Sequence, residues 1–559
     1  MKIKLIVFLS LLSINLYSQV VLTEYPLDNQ LIGRDVITNS GTFNIAGEVY
    51  NSEIAYSSIS IIVNREDDLH EYQTLNLSFD DSTIFFSFEI TIAAELMNYS
   101  VNLYSHFGND STQELNIINI VCGDVFIIQG QSNAQAKMEN GSSQEFQNDF
   151  IRVYSSSTDS IDLLIENHQW YYGQGDGGME TNGNTGQWGL RFAKHLVDSL
   201  GIPAAIFNQS LSGTGINSFL APTNYQTELE SIYSKLYYRL TKNKLQDFVK
   251  AIFWSQGEYD SNVNSPLTIE NGIAIDTEAY KNAFLQLQES WDDDFQNLEH
   301  IYIFQTKNGC NKPIEKLMDI KEAQRQLALE SETISIIPTA SLQHHTDNCH
   351  FTFSNGYEEF GNRLFNLVKR DVYGYSSSSE IDAPYDFQAY QIGIDNIVII
   401  TNSIELQSDE FANDFKYNGL SIDSTKISTY KNYIIIEDLE FLNDTSTLSY
   451  YGDYLTDGNY IRNSNDIEIV CFKNIKILAN AGWKCNSTDC EISTETIEYN
   501  SINECLESCG MSNLITPSFT SKKLSKIVNV SGQISLPKVN VPLLYIYEDG
   551  SVQKKIILE

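Results

Sequence analysis

The sequence predicts an α/β protein, with a central three-layer parallel-sheet domain flanked by N-terminal and C-terminal β-sandwich domains. Three observations predict it. Short unbroken apolar runs alternate with helical patterns across 121–375. Alternating apolar and polar positions dominate 19–120 and 380–478. The chain has 559 residues, too many for one hydrophobic core.

The central apolar runs are Asp124-Val125-Phe126-Ile127-Ile128, Ala204-Ala205-Ile206-Phe207, Ala251-Ile252-Phe253-Trp254 and Ile301-Tyr302-Ile303-Phe304. Each has the character of a strand covered on both faces. Between them, Leu190, Phe192, Ala193, Leu196, Val197 and Leu200 fall on one helical face, and Gly201 suits a C-cap. Leu229–Val249 and Asp276–Trp291 carry similar patterns. A helix bearing Phe360, Leu364 and Leu367 closes the domain near Tyr373, and Ser376–Ser379 is a candidate linker. In the flanks, Tyr56–Val63, Ile84–Ile92, Ile397–Ile400 and Tyr433–Ile436 read as strands.

Apolar residues make up 42% and charged residues 19%, a globular composition. Lys and Arg total 35 against 73 Asp and Glu, a net charge of −38. No basic face is available for nucleic acid, and an anionic membrane surface is disfavoured. Residues 1–18 combine a basic start at Lys2 and Lys4, an apolar run over Leu5–Tyr17 and the small Ser18. This is the pattern of a secretory signal peptide cleaved near Ser18. No later stretch of about 18 apolar residues suggests a transmembrane segment in the mature protein. The expected location is therefore secreted or cell-surface. Of eight cysteines, Cys485, Cys490, Cys505 and Cys509 crowd into a Cys-rich linker at 480–512. Two disulfides are expected there, with a zinc site as the alternative. Cys310 and Cys349 flank the candidate site and are placed to staple its loops. Pairing is not fixed by sequence.

The chemistry concentrates in a few turns. An apolar strand ends in Gly130-Gln131-Ser132-Asn133-Ala134, where open α/β sheets bind ligands. Ser132 there is either an exposed nucleophile or a helix cap. A serine nucleophile needs a base and an orienting acid. His344-His345-Thr346-Asp347-Asn348-Cys349-His350 supplies candidates, since Asp347 and His350 are three positions apart and fit one turn. His344 and His345 are otherwise ordinary loop residues. Metal binding by His344, His345, Asp347 and His350 is the weaker reading, because no paired helical spacing supports it. Ser212-Gly213-Thr214 and Trp254-Ser255-Gln256-Gly257-Glu258 follow two further strands and complete three polar turns at one sheet edge.

In order, Gly130-Gln131-Ser132-Asn133, Ser212-Gly213-Thr214, Trp254-Ser255-Gln256-Gly257-Glu258 and Asp347-Asn348-Cys349-His350 resemble the blocks of the SGNH hydrolase superfamily, with its flavodoxin-like sheet. The branch they resemble is that of the sialate O-acetylesterases and related carbohydrate acetylesterases, over about 121–373. The resemblance implies Ser132 as nucleophile, His350 as base and Asp347 as its orienter. It also implies an oxyanion hole of the Ser132 amide, the Gly213 amide and the Gln256 side chain. No metal or other cofactor is implied, and the partner is an acetylated carbohydrate. Two positions depart from the pattern, Ser212 where Gly is common and Ala134 where Met is common. Neither removes a reacting group.

The tail over 518–559 resembles the C-terminal sorting domain of the type IX secretion system. Its carriers are the Tyr545-Ile546-Tyr547 strand, the Asp549-Gly550 turn and Lys554-Lys555-Ile556-Ile557-Leu558. That resemblance implies export across an outer membrane by the type IX machinery. Taken alone, the ending is a hairpin. Two competing readings remain: an α/β-hydrolase built on a Gly-x-Ser-x-Gly-like elbow, and a non-catalytic multi-domain glycan-binding protein.

Overall fold

The computed structural model describes residues 20–50, 56–78, 83–262, 276–407, 414–439, 445–452, 460–487, 489–509, 524–529, 532, 542–547 and 552–556. It is a mixed α/β molecule with many strands and sheets. The Asp110–Gly130 strand organises it. Residues 110–120 pair antiparallel with Tyr99–Phe107. Residues 124–130 lie between Ala204–Ser210 and Val249–Ser255, parallel to both. Every residue from Ile120 to Gly130 is buried, whereas 110–119 are mostly partly or fully exposed. The change in sequence texture near residue 121 is thus a change of surroundings along one continuous strand.

The central sheet runs in the order Trp170–Tyr172, Ile151–Tyr154, Ala204–Ser210, Asp110–Gly130, Val249–Ser255, His300–Phe304, Ile334–Ile337. All neighbours are parallel except the first pair. The chain builds outward on one side of Asp110–Gly130 and then on the other. The order therefore reverses beside that strand, and open α/β sheets bind ligands at the carboxyl ends of strands at such a point.

Both faces of the sheet are covered. The Gln187–Leu200 helix buries Trp188, Leu190, Phe192 and Leu196 against Phe126, Ile128 and Phe253, and Gly201 ends it at φ 69°. The other face packs Ile127, Phe207 and Trp254 against Tyr233, Tyr280 and Trp291. Each such large side chain, fully buried, contributes about 1.5–3 kcal/mol. The helix expected over Leu229–Val249 is shorter, Ile232–Lys242. Ser231 and Ser234 start it as a reciprocal cap, and Val249 already begins the next strand. Leu245 and Val249 prolong the apolar pattern only because the elements after the helix are buried too. Asp276 caps the Thr277–Asp294 helix through the Ala279 amide.

Before the central sheet, Val20–Glu24, Ser40–Tyr50 and Thr83–Ala93 form one small sheet. With Tyr56–Arg65 and Tyr99–Phe107 they share a core of Ile45, Ile61, Val63, Phe88, Ile90 and Val101. After it, a nine-stranded sheet shares its core with the central domain. Gln305 exchanges two 2.9 Å hydrogen bonds with the Cys471 main chain across that junction. The Phe472–Asn486 strand runs from the nine-stranded sheet into the Cys-rich stretch, where it pairs with Asp489–Ser493. Disulfides join Cys485 to Cys509 and Cys490 to Cys505. Cys490, Cys505 and Cys509 also bring their sulfurs within 4.8 Å of one another, the geometry that a zinc site would use in the reduced chain.

In the tail, Leu524–Asn529, Pro542–Tyr547 and Val552–Ile556 form an antiparallel sheet. Residues 1–18 and the Asp549-Gly550 turn lie outside the described residues. No described helix is long and apolar enough to cross a membrane.

Candidate active site

Gly130 ends the Asp110–Gly130 strand with φ +134°, a conformation that favours glycine. A side chain there would lie 2.1 Å from the Ser255 carbonyl. The bare backbone instead lets the Gly130 carbonyl accept from the Leu211 amide at 3.0 Å, while the Gln131 amide donates to Ser255 at 3.0 Å. The three strand ends are stitched together at this point. The Ser132–Gln135 helical turn follows, with Gln131 at its cap position. Ser132 is therefore not a cap. Its side chain is half-buried, and its hydroxyl makes no hydrogen bond with a described residue.

Asn133 joins this turn to the histidine loop. Its Nδ2 donates to Glu258 Oε1 at 2.8 Å and to the Cys349 carbonyl at 3.2 Å. Its Oδ1 accepts from the Tyr357 hydroxyl at 2.8 Å, and its carbonyl accepts from Trp188 Nε1 at 2.8 Å. The residues directly after Ser132 and directly before His350 are thus in hydrogen-bond contact across 216 positions of sequence.

The loop itself is a tight turn. The His345 amide donates to the His350 carbonyl at 2.7 Å, and Asn348 adopts φ +51°. Asp347 Oδ2 lies 2.5 Å from His350 Nδ1. Asp347 Oδ1 accepts from the Cys349 and His350 amides at 3.0 and 3.1 Å. Burial pushes this carboxyl up, but the His350 ring and these amides outweigh it and hold it at about 2. With Nδ1 engaged, Nε2 is the nitrogen left to exchange a proton. The Cys310–Cys349 disulfide anchors the loop from outside, and the Cys310 amide donates to the Asn348 carbonyl at 2.8 Å.

The neighbouring histidines are placed differently. His344 packs edge-on against Phe351 with ring centres 5.1 Å apart. Burial, then the charge of Lys307, pushes it down to about 3, so it is neutral. His345 Nδ1 lies 3.6 Å from Asp347 Oδ1. Among the described residues, His344, His345, Asp347 and His350 do not gather three ligand atoms within 4.8 Å of one another.

The other two turns follow the strands on either side of residues 124–130. Gly213 has φ +66°, with open space where a side chain would stand. Neither the Ser132 nor the Gly213 amide donates to a described residue. Gln256 is fully buried. Its Nε2 donates to Asp260 Oδ2 and, at 3.1 Å, to the Thr214 carbonyl. Both amide protons are engaged, so donation to an oxyanion requires exchange of the Thr214 bond. Glu258 is also buried, and burial pushes its carboxyl up against the opposing influence of Asn133 and His350. Sequence reasoning gave no role to Asn133 or Asp260. Their signal was position alone, one residue after Ser132 and two after Glu258. A separate cleft of about 740 Å³ lies at the amino end of Val249–Ser255, between residues 24–27 and 242–248, and includes none of these groups.

Comparison with known proteins bears on the central domain. Residues 122–370 match the family described as carbohydrate esterase, sialic acid-specific acetylesterase. The chain is an esterase, a carboxylic ester hydrolase. A carbohydrate acetylesterase from Xanthomonas citri shares the fold, with a TM-score of 0.54 and 16% identity over 81% of this chain and 99% of that one. A family two carbohydrate esterase from Cellvibrio japonicus aligns at a TM-score of 0.27 and 14% identity, covering 63% of this chain and 97% of that one. A protein from Arabidopsis thaliana aligns at 0.33 and 19%, covering 44% of this chain and 98% of that one. No curated protein matches the chain.

Proposed function

We propose that this esterase removes O-acetyl groups from carbohydrates, in the manner of a sialate O-acetylesterase, through an acetyl-enzyme on Ser132. The supporting observation is the Asn133–Cys349 hydrogen bond, which draws the nucleophile turn and the histidine loop together. Ser132 Oγ attacks the acetyl carbonyl as its proton passes to His350 Nε2. The negative oxygen is held by the Ser132 and Gly213 amides and by the Gln256 amide once it leaves Thr214. Loss of one such donor typically slows turnover about 10²–10³-fold. The C–O bond to the sugar breaks, and the sugar oxygen takes the proton from His350. Water then attacks the acetyl-enzyme, giving its proton to His350. Acetate departs, and Ser132 recovers the proton. Asp347 orients His350 and stabilises its cationic form throughout. The 2.5 Å contact between Asp347 and His350 within one short loop favours this arrangement over an α/β-hydrolase, which draws the two from separate loops.

The same reading extends to location. The three disulfides suit an oxidising compartment. The basic and apolar residues 1–18 would direct export, and the tail over 518–559 would engage the type IX machinery. Acetate release across a panel of acetylated glycans tests the function. Wild type is expected to release acetate and Ser132→Ala none. Full release by Ser132→Ala would remove the nucleophile assignment.

A further inference from the structure

Gln256 is gripped at both ends of its amide. Besides the Nε2 bonds described above, its Oε1 accepts from the Tyr280 hydroxyl at 2.8 Å. Its carbonyl accepts from Gln324 Nε2 at 2.8 Å. The acceptor for Nε2, Asp260 Oδ2, has a second duty: it takes the Ile216 amide at 2.8 Å. Asp260 has no solvent exposure. Its other oxygen, Oδ1, has no hydrogen-bond partner among the described residues and lies beneath Gly215, where an added side-chain carbon would come within 2.8 Å.

One carboxylate oxygen therefore binds groups from two different turns. Gln256 follows the Val249–Ser255 strand, and Ile216 closes the Gly213 loop that follows Ala204–Ser210. Those turns carry two of the three proposed oxyanion donors. A carboxylate oxygen binds N–H donors about twice as strongly as a neutral carbonyl, and burial strengthens such bonds further. Burial pushes the Asp260 carboxyl up to about 6. A buried carboxyl with no cation beside it among the described residues has a desolvation penalty that packing alone does not explain.

We propose that Asp260 is a positioning residue: it locks the Gln256 amide and the Gly213 loop at the spacing the oxyanion requires. This inference rests on the acetyl-enzyme reading above. Asp260 does not touch substrate, and its effect on turnover passes through Gln256 and the loop.

A double-mutant cycle on kcat for 4-nitrophenyl acetate tests it, with Ser132→Ala measured alongside. Gln256→Ala is expected to lower kcat about 10²-fold. Asp260→Asn is expected to lower it about tenfold with KM unchanged, and the double variant to be slower than Gln256→Ala by much less than tenfold, because the share of the Asp260 effect that passes through Gln256 is already lost. A merely structural role would give losses that multiply, and that result overturns the proposal. So does full kcat in Asp260→Asn. If Asp260→Asn is not recovered folded, Asp260→Ser replaces it, with the same two results deciding. Activity surviving in Ser132→Ala would instead overturn the acetyl-enzyme reading.

Discussion

At the scale of single residues, the account depends on how Asp347 and His350 divide the work. In the proposed mechanism Asp347 orients and stabilises, whereas His350 carries the proton. Asp347→Asn is therefore expected to slow kcat less than His350→Ala, as steady-state kinetics on one acetylated substrate would reveal. The same carboxylate has a stability signature. Its pKa falls from the ordinary 3.8 to about 2 on folding, so the unfolded chain binds more protons between those values. Its contribution is complete above about pH 4 and disappears as pH falls through 2. Urea denaturation should show Asp347→Asn less stable than wild type at pH 6, with the gap closing towards pH 2. A gap independent of pH would contradict this reading of the Asp347–His350 contact.

At the scale of elements, the histidine loop is held between two fixtures, the Cys310–Cys349 disulfide and the Asn133 side chain. The disulfide closes a separation of 39 residues. Chain-entropy reasoning gives such a crosslink about 3–4 kcal/mol. The paired change Cys310→Ser with Cys349→Ser should lower stability by about that amount, and kcat should fall as well. Chemical denaturation and kinetics on the same sample measure both. The central strands and the Gln187–Leu200 helix were legible because continuous apolar runs and a 3.6-residue repeat report burial directly. Gly201 marked a helix end correctly because capping is local chemistry. The end of the Ile232–Lys242 helix was not legible, since buried residues in the following strand prolong the same pattern. Nor were Asn133 and Asp260, whose roles arise from partners 216 and 44 positions away. Short motifs record which residues react, while the polar groups that space them depend on packing.

At the scale of the whole molecule, the nine-stranded sheet is joined to the esterase domain by one apolar core and by buried polar links. Arg363, on the Glu358–Asp371 helix, lies 2.9 Å from Glu468, which is fully buried. Breaking a buried pair from one side leaves an uncompensated charge and costs about 3–5 kcal/mol. Arg363→Met should lose about that much stability by urea denaturation, with kcat of the folded fraction nearly unchanged, since the pair lies outside the catalytic loops. The chain's net charge of −38 adds a separate expectation, that nucleic acid will not compete with substrate. The central claim remains the meeting of the Ser132 turn with the His350 loop. Treatment of the intact protein with a fluorophosphonate, followed by peptide mass spectrometry, tests it most directly. The account predicts one adduct, on Ser132, formed rapidly in wild type and far more slowly in His350→Ala. An adduct on a different serine, or equal labelling rates in both proteins, would contradict it.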